Sequence, residues 1–194
     1  MKHTEIQNLP TSKDVRKELK RERYKQRFRR VLKSTVYALV IVAATAALVA
    51  TMVLPVLQIA GNSMEPTFHE GQIVVLMKTK KLQHGDLCAF YYSNKVLIKR
   101  VIGLPGDYIT IENDGTVIVN GQILDEPYVT EKALGECDME FPYQVPENQY
   151  FLLGDQRATS IDSRSTVIGC ITTEQMLGKI FLRIWPLPEL QWFG

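Results

Sequence analysis

Histidine and cysteine are scarce in this chain, three of each among 194 residues. The histidines, His3, His69 and His84, are scattered, and no C-x-x-C pair occurs. A clustered metal site is therefore not written into the sequence, and no cofactor is expected. The cysteines, Cys88, Cys137 and Cys170, are odd in number, so at least one thiol is free or pairs with another chain. Cys88 in "DLCAFYY" and Cys170 in "VIGCIT" sit in apolar runs and read as buried free thiols. Net charge is slight, +2, and by itself selects no class of partner. Internal repeats are absent.

What is present is uneven. Lys13 to Lys33 carries eleven Lys/Arg against three acidic residues, whereas Ser34 to Gly194 carries eleven basic and seventeen acidic. Two environments are implied. The basic block alone suits a solvated helix, a disordered tail or a nucleic-acid contact. The next segment decides among them. Val36 to Leu57, "VYALVIVAATAALVATMVLPVL", contains 22 residues and no charge. As a helix it spans roughly 33 Å, enough for a bilayer core of ~30 Å. Arg27, Arg29, Arg30 and Lys33 precede it, and Glu65 and Glu70 are the first charges after it, so the basic side is expected in the cytoplasm. Partners are then the lipid bilayer and not nucleic acid. About 35 residues precede the run, more than the short basic start of a cleaved signal peptide, so an uncleaved anchor is expected. The expected division is a basic cytoplasmic tail (1–35), a transmembrane helix (36–57) and an extracytoplasmic domain (58–194).

Beyond residue 58 the pattern is that of strands. "QIVVLMK", "DLCAFYY", "KVLIKRVIGL", "YFLLGD", "TVIGCI" and "KIFLRIWPL" are β-branched and aromatic. Asp114-Gly115 and Asn120-Gly121 supply hairpin turns. Residues 130–149 lack a period and read as a surface loop or small insertion. Only "TTEQMLG" hints at a helical turn. The fold class is mainly β: one N-terminal transmembrane helix followed by an antiparallel β domain.

Three phrases carry chemistry. In "IAGNSMEPTF", Ser63 lies six residues past the apolar run, within ~20 Å of a bilayer surface even with the chain extended. Gly61 allows close backbone approach, and Pro66 restricts Glu65. A lone loop serine is ordinarily only that, and it needs a base to become a nucleophile. His69 and His84 sit in polar phrases and read as surface residues. Lys99, in "VLIKRVIG", shares a strand face with Leu97 and Val101. On alternation alone it is an edge-strand lysine snorkelling to water. If buried, its pKa falls from about 10.4, and a drop of two to three units, at a cost of roughly 3–4 kcal/mol, supplies a neutral amine. Beside Ser63 that amine makes a Ser–Lys dyad. The third phrase, "GDQRATSIDSR", concentrates Asp155, Arg157, Ser160, Asp162 and Arg164 in one loop, either a self-paired solvated loop or a support for the dyad.

Together these phrases, in this order behind an anchor of this orientation, resemble the bacterial type I signal peptidases, from the anchor to "KIFLRIWP". "GNSMEPTF" looks like the family's nucleophile box, "KRVIGLPGD" its lysine box and "GDQRATSIDSR" its G-D-N-R-x-x-S-x-D-S-R box. The resemblance implies a membrane-bound serine endopeptidase that removes N-terminal signal peptides from exported preproteins. It implies Ser63 as nucleophile, with its N–H in the oxyanion hole, and Lys99 as general base. Ser160 would orient the lysine amine, Asp162 would pair with Arg164 or Arg100, and Met64 would pack the lysine. The substrate would be an extended signal peptide with an A-x-A-like site, bound by β-augmentation. Two residues depart from the pattern. Gln156 replaces Asn, which tolerates positive φ better, and Gly61 stands where some members place a hydroxyl for the oxyanion hole. Two alternatives differ in kind: a self-cleaving Ser–Lys protease, opposed by the apolar anchor, and a catalytically altered assembly factor, opposed by the presence of both dyad residues.

Overall fold

The computed structural model describes residues 12–193; His3 lies outside the described residues. Residues 12–53 contain no glycine or proline and are rich in Ala, Leu, Lys, Arg and Glu, all good helix formers. They form one helix, α1 (Ser12–Val53). It stops ahead of Pro55, which disfavours helical geometry at Leu54. The apolar stretch seen in the sequence is helical up to Val53. Within it Thr45 satisfies its hydroxyl internally, donating to the Ile41 carbonyl at 2.8 Å. Leu39, Val40, Ile41 and Val42 follow one another around the helix and are all exposed. A helix apolar on every side needs an apolar surrounding. By length and composition α1 is able to cross a membrane, and it fits a membrane anchor.

Thr51–Gly194 form a separate unit. Among its described residues twelve strands form, mostly short and all paired antiparallel. The larger sheet contains β1 (Val56–Gln58), β2 (Ile73–Met77), β3 (Leu87–Tyr92) and β4 (Lys95–Gly103). The smaller contains β5 (Tyr108–Ile111), β6 (Val117–Val119), β7 (Gln122–Ile123) and β8 (Tyr143–Gln144). The chain then returns to the larger sheet with β9 (Gln149–Leu153), β10 (Ile171–Thr172), β11 (Met176–Trp185) and β12 (Gln191–Trp192). The larger sheet runs β1-β2-β11-β3-β4-β9-β10, with β12 paired to β11; the smaller runs β7-β6-β5-β8. Asn120 and Gly121 both take positive φ, 51° and 80°, the geometry of a tight hairpin turn between β6 and β7. Gly178 sits at a register break in β11, where an added Cβ would lie 2.3 Å from the Met77 carbonyl oxygen.

Alternating apolar residues bury three clusters. Ile59, Met64 and Phe68 pack on Val74, Leu76 and Ile180 beneath the β1–β2 loop. Cys88, Phe90, Val101 and Leu152 form a second group between neighbouring strands. Ile102, Ile109, Val117 and Phe151 join the two sheets. At roughly 1.5–3 kcal/mol for each fully buried large apolar side chain, these clusters fix the frame that carries the polar residues described below.

Several elements differ from the sequence reading. "TTEQMLG" makes no helix: Thr173–Gln175 form a turn and Met176 starts β11. The Gln175 side chain closes the turn, its Oε1 accepting from Thr172 N at 2.9 Å and Thr172 Oγ1 at 3.0 Å. "TVIGCI" is a strand only at its end. Residues 166–168 turn, with Ile168 N and Gly169 N donating to the Ser165 carbonyl. Residues 130–149 include β8, which pairs with β5, and the buried Val145. Cys88 is fully buried, whereas Cys170 and Cys137 are half-buried, and all three are free thiols.

Candidate active site

Ser63 lies in the loop that joins β1 to β2. Local bonds shape it: Glu65 N donates to the Asn62 carbonyl at 3.0 Å, and Phe68 N to the Met64 carbonyl at 2.9 Å. Gly61 takes φ +83°, accessible to glycine without strain. Met64 and Phe68, 3% and 0% exposed, anchor the loop to the core and leave Ser63 half-open above it. Arg183 on β11 reaches across to donate to the Thr67 carbonyl at 3.1 Å and to Gln72 Oε1 at 3.3 Å. The sequence offered no sign that Arg183 reaches this loop, because Thr67 and Gln72 lie more than a hundred residues away from it.

Lys99 lies just before the stretch of β4 that β9 covers, yet it does not snorkel to water. Strand β4 lies between β3 and β9, and Lys99 pairs with Cys88 on β3. Its side chain is 3% exposed. The ammonium loses its water there, and burial is the largest influence on its pKa, which falls from 10.5 to about 8. Asp162 opposes the shift by raising the pKa, and Arg164 adds to it. Lys99 Nζ donates to Ser63 Oγ at 2.8 Å. When the amine is neutral, the same contact lets the hydroxyl donate to nitrogen, the geometry of a base removing the serine proton.

The loop after β9 closes over this pair and is tied to it by the backbone: Gln156 N donates to the Ser63 carbonyl at 3.1 Å. Gln156 is not among the non-glycine residues with positive φ, so the replacement of Asn brings no strain of that kind. Asp162 pairs with Arg164, at 2.8 Å from Nε and 2.9 Å from Nη2, and also accepts from Gly154 N at 3.0 Å. Arg100 pairs instead with Asp155, at 2.8 and 2.6 Å, and donates to Thr67 Oγ1 at 3.2 Å. The 130–149 stretch contributes the Ala133 and Leu134 carbonyls, which accept from Arg164 Nη1. Ser160 Oγ is buried and, among the described residues, has no hydrogen-bond partner. It crowds Gly154, where an added Cβ would lie 2.2 Å from it and 2.6 Å from the Ser63 carbonyl oxygen.

Two recesses flank the pair. One, about 100 Å³, is lined by Leu57, Ile59, Ala60, Ser63, Met64 and Ile98, between β1 and β4. The other, about 470 Å³, shares Ser63 and is walled by Leu97, Lys99, Ile161, Val167 and Ile168. Strand β4 pairs with β9 only from Arg100 onward, so among the described residues Lys95 to Ile98 have no strand along that edge. No cluster of His, Cys, Asp or Glu able to hold a metal occurs among the described residues.

Residues 32–185 match the family model described as "Signal peptidase, peptidase S26". Among curated proteins, signal peptidase IB of Staphylococcus aureus is 34% identical over 154 residues, covering 69% of this chain and 79% of that protein. Signal peptidase I S of Bacillus subtilis is 31% identical over 166 residues, covering 79% and 89%. A probable signal peptidase I-2 of Synechocystis sp. is 34% identical over 144 residues, covering 68% of this chain and 63% of that protein's length. A crystal structure of a signal peptidase I from Enterococcus faecalis matches at 30% identity with a TM-score of 0.42, over 51% of this chain and 96% of that one.

Proposed function

This chain belongs to the signal peptidase family, peptidase S26, and from that premise we propose that it is a membrane-bound serine endopeptidase removing signal peptides from exported preproteins through Ser63 and Lys99. The observation that carries the mechanism is the 2.8 Å contact between Lys99 Nζ and Ser63 Oγ in a setting that disfavours the charged amine. The neutral amine takes the Ser63 proton, and Oγ attacks the carbonyl carbon of the scissile bond. An ester acyl-enzyme forms and the new amine terminus leaves with a proton returned from Lys99. Neutral again, Lys99 activates the water that hydrolyses the ester.

Around the dyad, Ser63 N–H is the first oxyanion donor. Gly61 brings no hydroxyl, so the second donor comes from elsewhere. Ser160 orients the amine; its buried hydroxyl retains unused bonding capacity and crowds Gly154, as the Ser63 carbonyl does. Asp162 acts through Arg164, and Met64 lends apolar cover. The open edge of β4 receives the substrate as an added strand. The recess of about 100 Å³ beside Ser63 accommodates small side chains, which suits an A-x-A-like site. The anchor crosses the bilayer once with residues 1–35 in the cytoplasm and the β domain outside, because the Lys/Arg excess lies wholly before the apolar run. The decisive experiment incubates the full chain in detergent with a preprotein. Cleavage after the −1 residue is expected for the natural sequence, and loss of it for Ser63→Ala and Lys99→Ala with unchanged melting of the β domain. Full activity of Lys99→Ala would sink the mechanism.

A further inference from the structure

Between β7 and β8, Glu126 and Tyr128 touch two of the arginines that fasten the 154–164 loop, Arg157 and Arg100. The Glu126 side chain is 1% exposed, and its carboxylate accepts from Arg157 Nη1 at 3.1 Å and from Arg157 Nη2. It also accepts from the Tyr128 hydroxyl at 3.3 Å. The Tyr128 ring lies under the Arg100 guanidinium, 3.7 Å from carbon to ring centroid, a cation–π contact. Neither residue touches Ser63 or Lys99 in any hydrogen bond or ring contact of the structure.

Both arginines lead straight to the dyad. Arg157 Nε donates to the Gly154 carbonyl at 3.0 Å. Arg100, next to Lys99 on β4, holds both oxygens of Asp155. Gly154 and Asp155 are thus gripped from two sides, by arginines that Glu126 and Tyr128 fix in turn. Gly154 has no slack: it packs against Ser160 Oγ and the Ser63 carbonyl, and its N–H binds Asp162. A buried ion pair of this kind contributes little net stability compared with apolar side chains of equal volume. Its effect here is positional.

We propose that Glu126 and Tyr128 are positioning residues for the reaction. They hold Arg157 and Arg100 so that Gly154 and Asp155 keep the loop closed over Lys99. With the clamp loosened, the loop lifts, water reaches the amine, and the fraction of neutral lysine at a given pH falls. This inference rests on the Ser63–Lys99 reading above.

The test measures kcat and KM on a signal-peptide substrate from about pH 6 to about pH 10, using the full chain in detergent. Tyr128→Leu removes the ring and Tyr128→Phe keeps it. A double change, Glu126→Gln with Arg157→Met, removes both charges and leaves neither buried alone. For Tyr128→Leu and the double variant, kcat at neutral pH falls at least about tenfold, KM stays within about twofold, and melting stays within about 5 °C. The acid limb of kcat/KM moves up by about one pH unit or more, and Tyr128→Phe returns it to the natural position. A folded Tyr128→Leu enzyme with natural kcat and an unmoved limb overturns the role of Tyr128. A double variant that fails to fold, or folds with natural kinetics, overturns that of Glu126. Failure of the dyad reading is seen separately, as an active Lys99→Ala enzyme.

Discussion

Lys99 Nζ and Ser63 Oγ stand 2.8 Å apart, and the lysine is 3% exposed. In the mechanism proposed above, contact and burial together turn a weak nucleophile and a cation into a nucleophile and its base. Burial brings the amine to about 8, so the active, neutral form is the minor one at neutral pH. The expected kcat/KM profile rises about tenfold per pH unit below that value and levels above it. A profile flat from pH 6 to pH 9 would exclude Lys99 as the titrating base.

The same burial carries a cost in stability. At pH values below about 8 the amine is charged in both folded and unfolded chains, and the folded chain bears the full desolvation penalty. Between about 8 and 10.5 only the unfolded chain holds the proton, so stability rises with pH, and above 10.5 the penalty is gone. Lys99→Met is therefore expected to be inactive yet more stable at pH 7, by up to about 3 kcal/mol. Urea denaturation at pH 7 and pH 10 measures it: the advantage is expected to shrink at the higher pH.

Gly154 leaves no room for a methyl group, which would lie 2.2 Å from Ser160 Oγ and 2.6 Å from the Ser63 carbonyl oxygen. Gly154→Ala must push one of these aside. A loss of about a hundredfold in kcat is expected, since misplacement of about 1 Å has effects of that size. Single-turnover acylation is the measurement, and natural rates would show that the loop yields freely.

Asp162 has two effects of opposite sign for the enzyme. It neutralises Arg164, which is fully buried, and it raises the pKa of Lys99. Asp162→Asn leaves a buried guanidinium without its anion and is expected to destabilise by about 3–5 kcal/mol. Where the chain still folds, the acid limb of its pH profile moves down, opposite to the shift expected for Tyr128→Leu. Melting curves and kcat/KM profiles of the two variants separate the effects.

Much of this was legible locally. Asn120-Gly121 announced its turn because both residues accept positive φ, and β2, β3, β4 and β11 announced themselves by β-branched runs. Ser63 and Lys99 stood out because a lysine on an apolar strand face is unusual and a serine box preceded it. Alternation alone left Lys99 as a snorkelling edge residue; its burial and its contact with Ser63, 36 residues earlier, remove that reading. Glu126, Tyr128 and Arg183 were invisible for a related reason. Their roles are pairings with Arg157, Arg100 and Thr67, distant in sequence, and nothing in the local pattern marks them. "TTEQMLG" misled because a glutamine side chain closes a turn that resembles a helix start.

The edge of β4 from Lys95 to Ile98, which lacks a strand neighbour among the described residues, has a further consequence. A free edge recruits any extended chain, including a second copy of this one. Lys95, exposed at the start of that edge, puts a charge where gatekeeper residues guard free edges. Its charge makes stacking of like upon like costly, while a neutral segment from a different protein meets no such repulsion. On the proposed reading, the edge that takes a substrate strand thereby also favours keeping copies of the chain apart when they are crowded into one membrane.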